Sequence, residues 1–506
     1  MIPTTCIALA VAACTSLAHA QPASAPATDE LRAAAQRAIQ TNPEVTARYN
    51  AFRAATNEVD VARGAYYPRV DVNADVGSTR DRVDNRVPED QTLSRRGVGL
   101  SVTQLLWDGL ATQNSVSRFG HARVGRYFEF LDSTEQTALE AARAHYDVLR
   151  FRRLVQFAED SYVQHKLTFD QIQSRVRAGV GRGVDLEQGT ARLALAQSNL
   201  TTEIANLHDV TSRYQRVVGV APPAQLALDA GLSQGLPASA AEVQTQAITR
   251  NAAVSAAVEN LRALRAQSRG TRSAFQPIVE ARARANEGRN LFGISEQRRD
   301  VTGEIVLSWN LFNGGSDQAR VRQFADLVTQ ATDLRDRACR DARQTASIAF
   351  NDTQKLADQI KLLQINVASI EKARDAYRQQ FDIGQRSLLD LLNAENEVYT
   401  ARRALANAEH DLRIAYARTF AATNGLAGAL GLSKLDTGAA LESDWASGED
   451  AAMRCPVAPA DIVPTRLDEL DARAKALAAS RPTPAAPAPA ASAPAASAPA
   501  ATPPKR

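Results

Sequence analysis

This 506-residue chain has no long apolar run, few aromatic residues and a small net charge. No apolar stretch approaches the roughly 18 to 20 residues of a membrane-spanning helix, which leaves an exported soluble protein or a chain that crosses a membrane as β-strands. A formal net charge of +3 excludes the basic footprint of a nucleic-acid-binding protein, so we expect no nucleic-acid partner. With only 5% aromatic residues, the composition suits long alanine-rich helices better than a thick globular core.

The N-terminus has the pattern of a secretory signal peptide, which we assign to residues 1–20. A short apolar run from Ile7 to Ala13 precedes Ala18-His19-Ala20, a small-x-small cleavage site. No Lys or Arg precedes that run, so the true start codon and the processing route stay open. The alternative is lipid attachment at Cys14, which follows Val11-Ala12-Ala13.

Cysteine and histidine are too few, and too scattered, to indicate chemistry. After leader removal only Cys339 and Cys455 remain, far apart in the chain, and two unpaired thiols are favoured over a disulfide. The six histidines show no metal-ligand spacing, and no nucleophile–base pair is apparent. We therefore expect no metal, no cofactor and no enzymatic activity.

Internal duplication is the strongest pattern in the sequence. Leu106-Trp107-Asp108-Gly109 returns as Leu311-Phe312-Asn313-Gly314, and at the same spacing Gly179 to Leu186 returns as Gly384 to Leu391. The last pair shares a Gly-x5-Asp-Leu frame, in which Gly179 and Gly384 each end one helix shortly before the next begins. Each copy therefore predicts a tight turn between two helices.

Each half also contains two segments in which apolar and polar residues alternate. Val70, Val72, Ala74 and Val76 start the first pair, which spans about residues 69–103, and the second pair spans about residues 278–309. Four strands of about 9 to 11 residues, apolar on one face, are typical of a transmembrane β-barrel. The charged connectors, residues 78–96 and 286–299, are predicted to be loops.

Proline is absent between Pro88 and Pro222 and between Pro277 and Pro456, which permits very long helices. A helix from Gln113 to Ala178 would be on the order of 100 Å long. Apolar residues in these stretches recur every 3.5 residues, which predicts coiled-coil packing. Earlier helices are predicted over Asp29 to Ala65 and Ala240 to Ser273.

The predicted fold class is mainly α with a β-barrel segment, internally duplicated. The domain boundaries are a first repeat at 29–221 with a helical hairpin at 113–219, a linker at 222–239, a second repeat at 240–432 with a helical hairpin at 316–424, an irregular segment at 433–480, and a disordered Pro/Ala-rich tail at 481–506. Four strands cannot close a barrel, because about eight is the minimum. Three chains would supply twelve strands, and their helices would continue the barrel as a long α-helical cylinder.

These features together resemble the TolC family of outer-membrane channel proteins. The motifs that carry the resemblance are Asn42-Pro43-Glu44-Val45, Pro68-Arg69-Val70 and Leu311-Phe312-Asn313-Gly314-Gly315, and a Gly-x5-Asp-Leu turn follows in each half of the chain. The resemblance implies a homotrimer in the outer membrane lipid that extends into the periplasm. It also implies docking to an inner-membrane transporter, of the ABC type, and a periplasmic adaptor, for type I protein secretion or for small-molecule efflux.

The resemblance further implies a closed periplasmic gate at the second turn. Asp390 would form a ring of three carboxylates, with Arg386 and Asp185 as linking charges. Asn393 and Phe381 depart from the family pattern, where a second acid and a tyrosine are frequent. The alternative is that both aspartates serve only as helix caps or first-turn residues.

Two other classes of protein compete with a channel. A soluble periplasmic coiled-coil adaptor or scaffold explains the 3.5-residue repeat but not the four amphipathic strands. An exported enzyme ranks last, because no catalytic constellation is present.

Overall fold

The structure is a computed structural model that describes residues 27–85, 87–226, 232–290, 295–435 and 466–480. The predicted leader at 1–20, the alternative lipid site at Cys14 and the tail at 481–506 lie outside these residues. The chain divides into two compact units. The first contains the predicted repeats, and the second begins at Ala460.

Each repeat begins with two helices rather than the single one predicted. In the first repeat α1 spans Ala27–Thr41 and α2 spans Pro43–Gly64; in the second, α5 spans Ala240–Arg250 and α6 spans Ala252–Gly270, followed by a 3-10 turn at Thr271–Phe275. Asn42 and Asn251 separate the pairs, because each has extended backbone and caps the next helix. The Asn42 side chain accepts from Glu44 N at 2.9 Å, and Asn251 accepts from Ala253 N at 3.0 Å.

Four antiparallel strands form one sheet in the order β1-β2-β3-β4. The strands are β1 (Arg69–Arg82), β2 (Asp90–Trp107), β3 (Ile278–Arg289) and β4 (Gln297–Ser308). They are longer than predicted and extend into both connectors, because the charged residues there continue the ladder of backbone hydrogen bonds. The first strands of the two repeats are not adjacent; β2 and β3 join the repeats instead.

The long helices follow the sheet. The first helical hairpin consists of α3 (Ala111–Arg177) and α4 (Gly183–Val218), and the second of α7 (Ser316–Asp382) and α8 (Leu388–Ala422). At 67 residues each, α3 and α7 are on the order of 100 Å long. The two long helices pack against the return helices α4 and α8 and against α6. No helix among the described residues is both long and apolar enough to cross a bilayer.

The main hydrophobic core surrounds the middle of α3, where Tyr127, Phe130 and Tyr146 are almost fully buried. Glu135 lies in the same region with 4% of its surface exposed, and it accepts backbone hydrogen bonds from Leu426 at 3.0 Å and Ala427 at 3.2 Å. It thereby caps α9 (Leu426–Ala429), the short helix that follows α8. Burial raises the pKa of Glu135 to about 7.

Two predictions about the C-terminal half are wrong. Cys339 is disulfide-bonded, so the favoured pair of unpaired thiols is incorrect; the other three cysteines lie outside the described residues. Disulfides persist in exported proteins, and separation along the chain does not report distance in space. The segment at 433–480 is not wholly irregular, since α10 spans Leu467–Ser480 with acidic residues in its first turn.

The predicted fold class is confirmed: the described chain is mainly helical, with one sheet of four strands to which each half contributes a hairpin.

Candidate functional site

The two Gly-x5-Asp turns connect the long helices in the same way. Gly179 and Gly384 have φ values of 75° and 77°, the left-handed region in which glycine is unstrained. One residue further on, Val180 N donates to Arg175 O at 3.1 Å, and Gln385 N donates to Gln380 O at 2.8 Å. Each bond satisfies a carbonyl at the end of a helix, so each turn reverses the chain compactly.

Asp390 lies in the first turn of α8 and is held by the residue that caps this helix. The Ser387 side chain accepts from Asp390 N at 3.3 Å and donates to Asp390 Oδ2 at 2.9 Å, a reciprocal capping arrangement. The Ser387 hydroxyl lowers the pKa of Asp390, and the nearby Arg386 lowers it further. Asp390 is therefore a fixed, ionised carboxylate at neutral pH, with 39% of its side chain exposed.

Among the described residues, the contacts of the Arg386 side chain are with its own repeat. Its guanidinium lies 3.5 Å from Asp390 Oδ2, donates to Gln380 Oε1 at 3.0 Å and lies 4.6 Å from the Tyr377 ring centroid. Within the described residues it forms no ion pair with Asp185. The structure thus brings Arg386 to Asp390 and does not link it to the first turn.

Asp185 occupies the matching position in the first turn of α4 but lacks the same support. Arg182 precedes this helix where serine precedes α8, and it makes no side-chain capping bond. Among the described residues, no side-chain partner contacts the Asp185 carboxylate. The two turns therefore have the same backbone conformation. They differ in the side-chain contacts of their aspartates, which Asp390 makes and Asp185 lacks among the described residues.

A hydrophobic cluster joins the two turns within one chain. Ile172 from α3 packs with Phe381 from α7 and with Leu388, Leu391 and Leu392 from α8, and all five are buried. Phe381 is 7% exposed, and the Arg175 guanidinium lies 5.2 Å from its ring centroid. This position, one of the two departures from the family pattern, is therefore part of the apolar contact between the turns.

The sequence did not predict the polar contacts between the repeats. Arg192 on α4 donates to Asn393 Oδ1 on α8 at 2.9 Å. Further along the same two helices, Arg403 pairs with Glu203 at 2.5 Å, and Glu203 is 1% exposed. These contacts depend on the register between two separate hairpins, which a single sequence does not reveal; the only signal was that Asn393 replaced an expected acid.

At the ends of the two helical hairpins, charged side chains surround the hydrophobic cluster. No group of three or more His, Cys, Asp or Glu in the described part of the chain could hold a metal ion. Asp390 is ionised with Arg386 held beside it, and Asp185 has no side-chain partner in the part of the chain that the structure describes.

Comparison with known proteins supplies the family. The model of the outer membrane efflux protein family matches residues 34–209 and 243–425, one segment in each half of the chain. The chain belongs to the outer membrane efflux protein family. The predicted resemblance is therefore confirmed, and the chain is an outer-membrane channel protein that extends into the periplasm.

Individual relatives are distant but cover most of the chain. The outer membrane efflux protein BepC of Brucella suis is 24% identical, with 76% of this chain and 83% of that protein covered. The alkaline protease secretion protein AprF of Pseudomonas aeruginosa is 25% identical, with 84% and 89% covered. The solved Campylobacter jejuni CmeC outer membrane channel matches the fold with a TM-score of 0.71 at 13% identity, covering 89% of this chain and 98% of that one.

Proposed function

We propose that three copies of this chain form an exit duct through the outer membrane, with the paired turns as its periplasmic entrance. The observation that carries this proposal is the sheet, whose edge strands β1 and β4 have no further strand beside them among the described residues. Open edges are not tolerated in lipid, so β1 must pair with β4 of the next chain. Three sheets of four strands close a barrel with a lumen too wide for side chains to fill.

The two faces of the sheet suit this arrangement. Val72 and Val76 on β1 and Ile305 on β4 lie on one face and are each more than two-thirds exposed in the single chain. The opposite face carries ion pairs such as Arg95–Asp75 at 2.7 Å and Arg282–Glu280 at 2.6 Å. The first face fits lipid and the second fits an aqueous lumen.

The helices carry exposed apolar residues that neighbouring chains would cover. Leu362 and Ile365 on α7 are 67% and 65% exposed, and Val163 and Leu167 on α3 are 50% and 55% exposed. Apolar residues at this density on helices about 100 Å long fit coiled-coil contacts between subunits. The same helices then form the periplasmic cylinder that docks to an adaptor and an inner-membrane transporter.

At the entrance, Asp390 of three chains would form a ring of carboxylates. Like charges around a constriction favour cations and resist anions. Arg386 positions Asp390 rather than the first turn, and the Asp185 carboxylate, which has no side-chain partner among the residues described, is available to a cation of an adjacent helix pair. We assign the contacts that hold the entrance closed to Asp185 and to the hydrogen bond between Arg192 and Asn393, and we assign to Arg386 the role of holding Asp390 in place.

Single-channel recording in planar bilayers tests the ring. Asp390→Ala should reduce cation selectivity and raise conductance, whereas Asp358→Ala, which removes an exposed acid far from the turns, should change neither. Arg192→Ala should raise the open probability, because it breaks a contact between the repeats. Unchanged conductance and selectivity in Asp390→Ala would show that this carboxylate is only a helix cap.

For the cargo, we propose type I protein secretion, supported by the broad coverage of the protease secretion relative AprF. Small-molecule efflux is the alternative, supported by the efflux protein BepC. A deletion strain should lose specific proteins from its culture medium and retain normal dye accumulation. Increased dye accumulation with an unchanged set of secreted proteins would favour efflux instead.

A further inference from the structure

The apolar face of the sheet ends in charged residues, and among them is a pair of arginines on β2 and β3. Across the four strands, one row of residues on this face consists of Val76, Arg96, Arg289 and Gln297, each directly opposite the next. The row before it, nearer the helices, consists of Ala74, Val98, Glu287 and Arg299, so it is apolar on β1 and β2 and holds an ion pair on β3 and β4. Arg96 and Arg289 therefore face each other across β2 and β3 at the upper limit of the apolar surface.

Neither arginine is neutralised within the described residues. Both are exposed, and neither forms a salt bridge there. The nearest acid on the same face, Glu287, is already occupied: its Oε2 lies 2.8 Å from Arg299, and its Oε1 accepts from Gln297 at 3.1 Å. Like charges directly opposite one another destabilise a sheet, so this pair calls for an external anion.

The height of the pair identifies the source of that anion. From Val70 to Val76 the apolar face of β1 runs on the order of 20 Å along the strand, which a tilt of about 40° reduces to about 15 Å of the roughly 25 Å apolar band of a transmembrane sheet. The helices attach at the opposite end of the strands, so Arg96 and Arg289 lie toward the outer leaflet. Their side chains leave the sheet on the lipid side, and arginine side chains are long enough to extend from there to the headgroups.

We propose that Arg96 and Arg289 together bind a phosphate of the glycolipid that forms the outer leaflet. Two guanidinium groups on adjacent strands present parallel N–H donors, which match phosphate oxygens in a bidentate manner. The site rests on the proposed function only in that the apolar face must contact lipid. It lies on the outside of the sheet, whereas the entrance described above lies at the far end of the helices.

Native mass spectrometry of the full-length protein, extracted from outer membranes, tests this site. The probes are a lipid A disaccharide with two phosphates and the same lipid after both phosphates are removed. Arg96→Gln and Arg289→Gln should each weaken binding of the phosphorylated lipid by about tenfold. Arg289→Lys should retain part of the affinity, because it keeps the charge and loses the planar fork.

Arg95→Gln is the matched control, since Arg95 neighbours Arg96 but points to the opposite face, where it pairs with Asp75 at 2.7 Å. It should leave lipid binding unchanged. An equal loss in Arg95→Gln, wild-type binding by the Arg96→Gln/Arg289→Gln double variant, or equal affinity for the dephosphorylated lipid would each overturn the proposal. If the wild-type protein formed no trimer and no conducting pore, the proposed function would fail independently of this result.

Discussion

Glu135 offers a test of how the second repeat is anchored to the first. Its carboxylate accepts from the backbone N–H groups of Leu426 and Ala427 at 3.0 and 3.2 Å, in a site where it is 4% exposed. Glu135→Ala would leave two buried donors without an acceptor, at a cost of about 1–3 kcal/mol each. The expected loss in the free energy of unfolding is therefore about 2–6 kcal/mol.

The pH dependence of this contribution has a definite sign. Burial raises the pKa of Glu135 from 4.5 to about 7, so the folded protein binds the proton more tightly than the unfolded chain does. The contribution of Glu135 to stability is complete below pH 4.5 and decreases as the pH rises through about 7. The decrease amounts to about 3 kcal/mol, at about 1.4 kcal/mol per pH unit.

Urea denaturation at pH 5 and pH 8, followed by circular dichroism in detergent, measures this decrease. Glu135→Gln is the matched variant, because its side-chain oxygen still accepts a hydrogen bond and does not titrate. It should lack the part of the pH dependence that Glu135 causes, and Glu135→Ala should expose the amides of Leu426 and Ala427 to hydrogen exchange. Identical pH dependence in wild type and Glu135→Gln, or full amide protection in Glu135→Ala, would refute the reasoning.

Three further predictions concern local packing and charge. Gly189→Leu should lower the thermal midpoint, because a Cβ there would lie 3.2 Å from Ile172 Cδ1, whereas Gly183→Leu, with open space around it, should have a much smaller effect. Burial lowers the pKa of His145 to about 4, so the folded state loses stability as the pH falls from 6.5 through that value. His145→Phe should remove this acid-sensitive change in the free energy of unfolding, which amounts to about 3 kcal/mol. An unchanged midpoint of acid denaturation would contradict this. Ser387→Ala should raise the pKa of the aspartate that it hydrogen-bonds, as measured by NMR, and cost about 1 kcal/mol of helix stability.

The regular elements could be predicted because their signals are local. Alternating residues such as Val70 and Val72 indicated strands, and the absence of proline after Pro88 and Pro277 permitted helices on the order of 100 Å long. The break at Asn42 was also readable, since Pro43 follows it as a first helical residue. The motif Asn42-Pro43-Glu44-Val45, which carries the family resemblance, therefore also marks the start of a helix.

The contacts at the two turns could not be predicted in the same way. The resemblance implies that Arg386 is a linking charge of the gate, and within one chain its guanidinium lies beside Asp390, one helical turn further along. Asn393 contacts Arg192 because α4 and α8 lie side by side in a particular register. A single sequence specifies which face of a helix is apolar, but the height at which two helices pair depends on the packing of the whole hairpin.

The mass of the protein extracted from outer membranes tests the central claim most directly. Size-exclusion chromatography with light scattering, corrected for detergent, should give the mass of three chains. The four-stranded sheet requires this result, because its edges at β1 and β4 are unpaired in one chain. A stable single chain in the outer-membrane fraction, or a protein found only in the soluble periplasm, would contradict the account.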